Sequence, residues 1–301
     1  MLEPTLEFIN CPESEGAHRM AYWQWGQFDA PHVVLCVHGL TRQGRDFDVL
    51  AQALCQRAAD LGQTIRVVCP DVVGRGKSDW LKNPAQYQLP TYAGDMFALL
   101  AILQPSTLDW VGTSMGGLIG MAVAGFAQAP PFAKVRRLVL NDVGPAIEPA
   151  ALLRIGQYLG KFGTYASEQE AADALWQVAS SFGPHTAAQW LALTQPMLKP
   201  TADGSGRLTL HYDPALAEPF KTMTAEAAAH GEALLWQAYD QITAQTLLVR
   251  GAESDLLSSV TAQAMTQRGP KARLLEFAGV GHAPTFVADD QVQTLLSFLL
   301  E

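Results

Sequence analysis

The sequence predicts an α/β protein: a mostly parallel sheet flanked by helices, with an inserted block of helices. Three features of the 301-residue chain lead to this fold class. Short apolar runs alternate with helical stretches, each run reads as a strand buried on both faces, and the alternation stops once before it resumes. Such alternation indicates a parallel sheet, because each helix carries the chain back to start the next strand in the same direction.

Six apolar runs are the predicted strands of the sheet. Parallel strands covered by helices on both faces lack a polar side, so they are apolar throughout. The runs span residues 32–39, 64–71, 107–114, 135–142, 245–255 and 272–277. Two earlier segments, near 5–9 and 19–25, alternate instead and predict an antiparallel edge.

The helices that cover this sheet are predicted between the strands. Their expected positions are 46–60, 91–104, 115–128, 258–268 and 289–300. Together with the strands, they assign residues 1–145 and 241–301 to one α/β core.

Residues 146–240 interrupt the alternation and are predicted to form a helical lid. Helical patterns occur at 149–162, 167–181, 185–194 and 225–239, and the turn-rich segment KPTADGSGRLTLHYDP separates the last two. A separate helical domain is the alternative. We favour an insertion, because the strand pattern resumes directly afterwards with TLLVRG.

The composition excludes several classes of partner. A net charge of −9 with only 16% charged residues argues against nucleic acid, which favours a basic surface. No basic amphipathic stretch and no apolar run of membrane-spanning length is present, so we expect no membrane partner. The first 16 residues lack the features of a signal peptide, and the four cysteines show no C-x-x-C spacing. We therefore expect a reduced cytoplasmic protein in which Cys36 and Cys69 are core thiols.

The segment DWVGTSMGGLIG (109–120) contains the clearest functional signal. Gly112-Thr113-Ser114-Met115-Gly116 fits the G-x-S-x-G pattern between a strand and a helix. A serine on such a sharp turn needs a strained backbone, and the two glycines relieve the crowding around it. The alternative is a serine that caps the helix, with glycines for close packing. We favour a nucleophile at Ser114.

A nucleophilic serine needs a base and an acid that orients the base. His282, in the glycine-flanked loop AGVGHAPTF, and Asp255, in VRGAESDLL, each follow a predicted strand end. We expect Ser114, Asp255 and His282 to form a catalytic triad. Asp142, which ends the strand LVLND, is a rival acid; we assign it, with Asn141, to support of the lid's entry.

The loop after the first long strand, VHGLTRQGRDF, is the candidate for the rest of an oxyanion hole. We expect the backbone N–H groups of Leu40 and Met115 to stabilise the oxyanion. His38 in the same loop is interpreted as a structural histidine.

These residues carry a resemblance to the α/β-hydrolase fold superfamily. His38-Gly39, DVVGRGKSD, the G-x-S-x-G turn, Asp255 and GHAPTF occur in that family's order, and the resemblance covers essentially the whole chain. It implies a serine-nucleophile, esterase-like member with a helical lid, in which Ser114, Asp255 and His282 are nucleophile, acid and base. No cofactor is implied.

The resemblance leaves the substrate open. A serine nucleophile fits a small to medium carboxylic ester, with thioesters, lactones, carbon–carbon bonds and cofactor-free perhydrolysis as alternatives on the same triad. The aspartate-nucleophile dehalogenases and epoxide hydrolases of this fold do not match. The general plan resembles that of short-chain hydroxyalkanoate oligomer hydrolases, without assigning their substrate. A ligand receptor with slow turnover is the non-enzymatic alternative. The oligomeric state stays open.

Apolar lid side chains and one arginine are the available hints to the pocket. Arg42 could meet a substrate carboxylate, but an ion pair with Asp46 or Asp48 is favoured. Large apolar residues of the lid could line an acyl pocket or pack on one another; they are Trp176, Phe182, Trp190, Met197, Phe220, Met223 and Trp236.

Two further signals are interpreted as non-functional. GRGKS resembles the end of a phosphate-binding loop, but position 71 is Asp instead of the required glycine and no helix follows, so we predict a loop braced by Asp71 and Arg75. The remaining histidines lack metal-ligand spacing, and no metal is proposed; they are His18, His32, His185, His211 and His230.

Overall fold

The structure is a computed structural model that describes residues 3–13, 16–161, 163–222 and 224–301. Its centre is an eight-stranded sheet in the order β1-β2-β4-β3-β5-β6-β9-β10. The strands are β1 (Thr5–Glu13), β2 (Gly16–Gly26), β3 (His32–Val37), β4 (Arg66–Pro70), β5 (Thr107–Thr113), β6 (Val135–Asn141), β9 (Gln245–Gly251) and β10 (Arg273–Phe277). A separate two-stranded sheet joins β7 (Leu198–Pro200) and β8 (Leu208–Leu210).

The strand directions confirm the sequence prediction. All pairings from β4 through β3, β5, β6 and β9 to β10 are parallel. The two N-terminal strands form the antiparallel edge: β1 pairs with β2, and β2 pairs antiparallel with β4.

Helices cover both faces of the sheet. They are α1 (Asp48–Asp60), α2 (Leu89–Leu103), α3 (Met115–Ala124), α4 (Pro149–Tyr158), α5 (Glu168–Ala179), α6 (Ala187–Thr194), α7 (Glu218–Lys221), α8 (Ala225–Gln241), α9 (Ser259–Met265) and α10 (Asp289–Leu300). In β3, Val33 and Leu35 enter the core on one face with side chains of α2 and α3, while Val34 and Cys36 enter the core on the other face with side chains of α1 and α10. This double burial explains why the strand is apolar at every position after His32.

The block between β6 and β9 is mostly helical, with two differences from the expected lid. The turn-rich segment contains the short hairpin β7–β8, whose three-residue strands are too short to show a period. The second difference is α8, which the sequence pattern assigns to the lid. In the structure α8 lies beside α3: a Cβ on Gly125 would overlap the Ala238 carbonyl oxygen, and Tyr239 is fully buried in the core.

No helix among the described residues is long and apolar enough to cross a membrane.

Candidate active site

Ser114 lies on a strained turn between β5 and α3. Its backbone has φ 52° and ψ −117°, a conformation that L-residues rarely adopt. The turn requires its glycines. A Cβ on Gly112 would overlap the Gly116 carbonyl oxygen, and a Cβ on Gly116 would overlap the Val37 carbonyl oxygen. The strained backbone and the two closely packed glycines agree with the sharp turn that the sequence predicts at this position.

His282 reaches Ser114 from the loop that follows β10. Its Nε2 lies 2.9 Å from the Ser114 hydroxyl oxygen, and its Nδ1 lies 2.6 Å from Oδ2 of Asp142. The side chain is 14% exposed. Because a carboxylate only accepts, Nδ1 carries the proton and Nε2 is free to accept from the serine.

Asp142 is the acid that the structure brings to the histidine. It follows β6 directly and its side chain is fully buried. The carboxylate also accepts hydrogen bonds from the Gly251 N–H (2.9 Å) and the Ser254 hydroxyl (2.6 Å). These three donors compensate for the burial of the charge and hold the carboxylate in one orientation.

Asp255 is not in contact with the histidine, so its assignment as the orienting acid is wrong. Its carboxylate pairs with Arg154 of α4 at 2.7 Å, and its side chain is 54% exposed. The loop after β9 instead turns the preceding residue, Ser254, toward Asp142. Asp142 and Asp255 each follow the end of a strand, and the sequence does not distinguish them. The paths of the two loops decide which of them faces His282.

Asn141 supports the histidine loop instead of the lid's entry. Its side-chain amide donates to the Thr113 hydroxyl (3.0 Å) and to the Pro284 carbonyl (2.8 Å). It therefore ties the end of β5 to the chain two residues beyond His282. Sequence reasoning missed this role because the contacts span 28 and 143 residues.

Arg75 connects the two residues expected to supply the oxyanion donors. Its guanidinium is fully buried, donates to the Leu40 carbonyl (2.8 Å), and lies 3.3 Å from the Met115 sulfur. Asp71 braces its own loop, DVVGRGKSD, by accepting a hydrogen bond from the backbone N–H of Lys77. It also accepts from the backbone N–H of Gly44, in the loop of Leu40. Burial raises the pKa of Asp71 to about 6. The predicted bracing role of Asp71 and Arg75 is confirmed.

His38 is a structural histidine, as expected. It is fully buried; Nδ1 donates to the Gly39 carbonyl (2.7 Å), and Nε2 accepts from the Val72 N–H (2.9 Å). Burial lowers the pKa of His38 to about 3. The ring is neutral and both nitrogens are in use, so it does not compete with His282 as a base.

A cavity of about 270 Å³ opens onto Ser114 and His282. Its volume lies just below the range of about 300–1,000 Å³ that is usual for small-molecule sites. The loop of Leu40 and Arg42 forms one part of the cavity wall. Residues between Arg154 and Tyr212, from the segment inserted between β6 and β9, form another part.

Three of the apolar lid residues singled out in the sequence line this cavity: Phe182, Trp190 and Met197. Trp176 packs edge-on against Trp190, with ring centroids 5.1 Å apart. Phe220 and Trp236 are not part of the cavity wall, and Met223 lies outside the described residues.

Arg42 forms the expected ion pair with Asp46. Its Nε and Nη2 lie 2.6 Å and 2.8 Å from the two carboxylate oxygens, and Nη2 also donates to the Leu193 carbonyl on the lid side (3.1 Å). The arginine thus connects the loop of Leu40 and Arg42 to α6.

One group of potential metal ligands comes together away from the serine. Cys11, His18 and Asp95 are buried, with ligand atoms within 4.8 Å of one another. His18 Nε2 is hydrogen-bonded to Asp95 at 3.0 Å, and burial strongly raises the pKa of the Cys11 thiol. The histidine is already paired with the carboxylate inside this buried cluster, and we assign no metal here. No sequence pattern indicates this cluster, because Asp95 is 77 residues from His18.

Comparison with known proteins places the chain in a family. Residues 34–294 match the model of the alpha/beta hydrolase family. The chain is 48% identical over 290 residues to a 3-hydroxybutyrate-oligomer hydrolase of Cupriavidus necator, covering 96% of this chain and 95% of that protein.

Solved structures agree with this assignment. An alpha/beta hydrolase from Novosphingobium aromaticivorans superimposes with a TM-score of 0.80 at 32% identity, covering 99% of this chain and all of that one. A hydrolase structure from Rickettsia typhi gives a TM-score of 0.84 at 27% identity, covering 99% of each chain. The chain belongs to the alpha/beta hydrolase family, and it is an enzyme, a hydrolase.

Proposed function

We propose that the protein is a serine ester hydrolase that cleaves short linear oligoesters of a hydroxy acid such as 3-hydroxybutyrate. The observation that carries the catalytic part is the continuous hydrogen-bonded path from Ser114 through His282 to Asp142. The substrate part is supported by the 48% identity to a 3-hydroxybutyrate-oligomer hydrolase over nearly the whole of both chains.

In the proposed first step, the Ser114 oxygen attacks the ester carbonyl while His282 Nε2 takes its proton. Asp142 holds the ring and stabilises the imidazolium that forms. The backbone N–H groups of Leu40 and Met115 stabilise the oxyanion. Arg75 holds the loop of Leu40 in place beside the side chain of Met115.

The tetrahedral intermediate then collapses: the ester C–O bond breaks, His282 gives its proton to the leaving oxygen, and the hydroxy acid departs from the acyl-enzyme. Water then enters, gives a proton to His282 and attacks the acyl-enzyme. The acid product leaves and Ser114 regains its proton. The chemistry is complete with the side chains and backbone groups named, so the proposal needs no cofactor.

The lid defines what reaches the serine. We propose that the segment from α4 to the β7–β8 hairpin is the functional roof, because its side chains line the cavity and those of α8 do not. A narrow apolar chamber excludes bulk water from the acyl-enzyme and fits small to medium acyl groups. We also propose a cytoplasmic location: all four cysteines are buried free thiols, as expected in a reducing compartment.

The test is hydrolysis of a defined 3-hydroxybutyrate trimer, followed by mass spectrometry of the products. The wild-type protein should release monomer and dimer over many turnovers, and Ser114→Ala should not. A panel of an acyl-CoA, a lactone and a vinylogous diketone runs in parallel. Turnover of one of these with no cleavage of the trimer would overturn the proposed substrate while retaining the triad.

A further inference from the structure

The cavity walls carry an excess of positive charge in an acidic protein. Among the residues that the structure describes, three cations line the cavity, Arg42, Arg154 and Lys161, against one carboxylate, Asp46. Counted over Lys, Arg, Asp and Glu alone, these wall residues carry a net charge of +2, whereas the whole chain carries −9. A local sign opposite to that of the molecule indicates selection for an anionic ligand.

Arg42 does not supply this excess. Its guanidinium is paired with both oxygens of Asp46 and is bonded to the Leu193 carbonyl, and its side chain is only 12% exposed. The charge available to a ligand therefore comes from Lys161 and from Arg154, whose ion pair with Asp255 is exposed and not buried like that of Arg42.

Arg154 and Lys161 lie on and just after α4, at the lid side of the cavity. Arg154 is 41% exposed and is held by Asp255, while its guanidinium also hydrogen-bonds Tyr158. Lys161 is exposed, and within the part of the chain that the structure describes its ammonium has no ion-pair or hydrogen-bond partner. One cation is thus fixed in place and the other is free to close on a ligand.

We propose that Arg154 and Lys161 form a subsite for the free carboxylate of the substrate, occupied by the leaving hydroxy acid. This inference rests on the proposed function. It goes beyond it by predicting cleavage from the carboxyl end of the oligoester, one unit or a few units at a time.

The bond changes determine which fragment the subsite holds. In a linear hydroxy acid oligoester, the fragment on the acyl side of the broken bond ends in a hydroxyl and is transferred to Ser114. The C–O bond to the other fragment breaks, and its oxygen takes the proton from His282. That second fragment carries the free carboxylate, so a carboxylate subsite is a leaving-group subsite.

The expected effect is moderate because both cations are partly exposed. Exposed ion pairs are weak and are screened by salt, so we expect the two together to favour a free acid over its methyl ester by about tenfold in kcat/KM. The preference should fall as the salt concentration rises.

The experiment compares the 3-hydroxybutyrate trimer with its methyl ester on the wild type, the double variant Arg154→Gln/Lys161→Gln, and Lys134→Gln. Lys134 is an exposed lysine outside the cavity and serves as the matched control. The wild type and the control should prefer the free acid, and the double variant should treat the two substrates within about twofold of each other. Equal kcat/KM values in the wild type, or an unchanged preference in the double variant, would overturn the subsite.

Asp255→Asn provides a second comparison, because it removes the competing carboxylate and leaves Arg154 in place. It should retain or raise the preference for the free acid; loss of the preference would contradict the proposal.

A separate readout distinguishes this proposal from the proposed function. If neither trimer is cleaved, the oligoester proposal fails, and inhibition of p-nitrophenyl butyrate hydrolysis tests the subsite alone. The 3-hydroxybutyrate anion should then inhibit the wild type more strongly than methyl 3-hydroxybutyrate, and the double variant should lose that difference. Equal inhibition of the wild type by the two compounds would overturn the subsite.

Discussion

Both ring nitrogens of His282 have a partner, and the two partners are not interchangeable. The bond from Nδ1–H to Asp142 fixes the tautomer, and this leaves Nε2 with a lone pair toward Ser114. An amide in place of the Asp142 carboxylate would present a donor to Nδ1 and favour the opposite tautomer.

Asp142→Asn is therefore expected to lower kcat for p-nitrophenyl butyrate by about 10³–10⁴-fold. Asp255→Asn should stay within about threefold of the wild type, because the Asp255–Arg154 pair is exposed and Asp255 has no hydrogen bond to the ring. Thermal melting of both variants checks that the fold is retained. A large loss in Asp255→Asn with near-normal activity in Asp142→Asn would restore Asp255 as the acid.

His38 contributes to stability in a pH-dependent way. Its pKa is lowered to about 3 in the folded protein, against about 6.5 when unfolded. Between these values the unfolded chain binds a proton that the folded protein does not. The stabilisation is thus complete above about pH 6.5 and is lost as the pH falls toward 3, by up to about 1.4 kcal/mol per pH unit.

Urea unfolding between pH 5 and 7.5 tests this effect. His38→Gln should be less stable than the wild type at pH 7.5, and its free energy of unfolding should fall less steeply on acidification. His230→Gln, at an exposed position on α8, should follow the wild-type curve. Parallel curves for the wild type and His38→Gln would show that this histidine titrates normally in the folded state.

At the scale of elements, the turn from β5 to α3 is the part of the fold with the least freedom. A methyl group at position 116 would overlap the Val37 carbonyl of the neighbouring strand. Position 94 on α2 is exposed instead, and a methyl group there would have no neighbouring atom within 4 Å. The two glycines therefore differ in what a side chain at their position would meet.

Gly116→Ala is expected to destabilise the protein by several kcal/mol, on the order of 3 or more, or to prevent folding. Gly94→Ala should stabilise it by about 0.5–1 kcal/mol, because alanine is the better helix former. Denaturant midpoints and the yield of folded protein measure both. A Gly116→Ala protein with wild-type stability and activity would show that the turn is looser than described.

The elements also show how far the sequence alone could lead. Strand β3 was predictable because burial on both faces makes every position after His32 apolar, and β6 because it contains the buried apolar run 138–140. The hairpin β7–β8 was not, since three residues per strand carry no periodicity. The packing of α8 against α3 could not be predicted either, because the apolar face of a helix does not specify which surface it covers.

Some residues of the candidate site could be predicted from the sequence, and others could not. Ser114 was predictable because its strained turn requires glycines at fixed positions, and the loop of His282 lies where the last strand must end. The choice between Asp142 and Asp255 was not, because it depends on how two loops fold over one sheet edge. Ser254, which directly precedes Asp255, is the residue of that loop whose side chain donates a hydrogen bond to Asp142.

At the scale of the whole molecule, we expect the proposed lid and the charge distribution to set the range of substrates. The cavity of about 270 Å³ and its aromatic lid residues favour small to medium acyl chains. Within a p-nitrophenyl ester series, kcat/KM should peak at short chains and fall for long ones, and an emulsified long-chain triglyceride should be a poor substrate. Strong activity on the emulsion, with activation at its interface, would instead indicate a lipase.

The covalent intermediate on Ser114 is the central claim, and site-mapped labelling tests it most directly. A fluorophosphonate probe is incubated with the wild type and with Ser114→Ala, and the labelled peptide is identified by mass spectrometry. The wild type should gain one adduct on the peptide that contains Ser114, activity should fall in proportion to labelling, and the alanine variant should gain none. An adduct on another residue, or full activity in a fully labelled protein, would contradict the account.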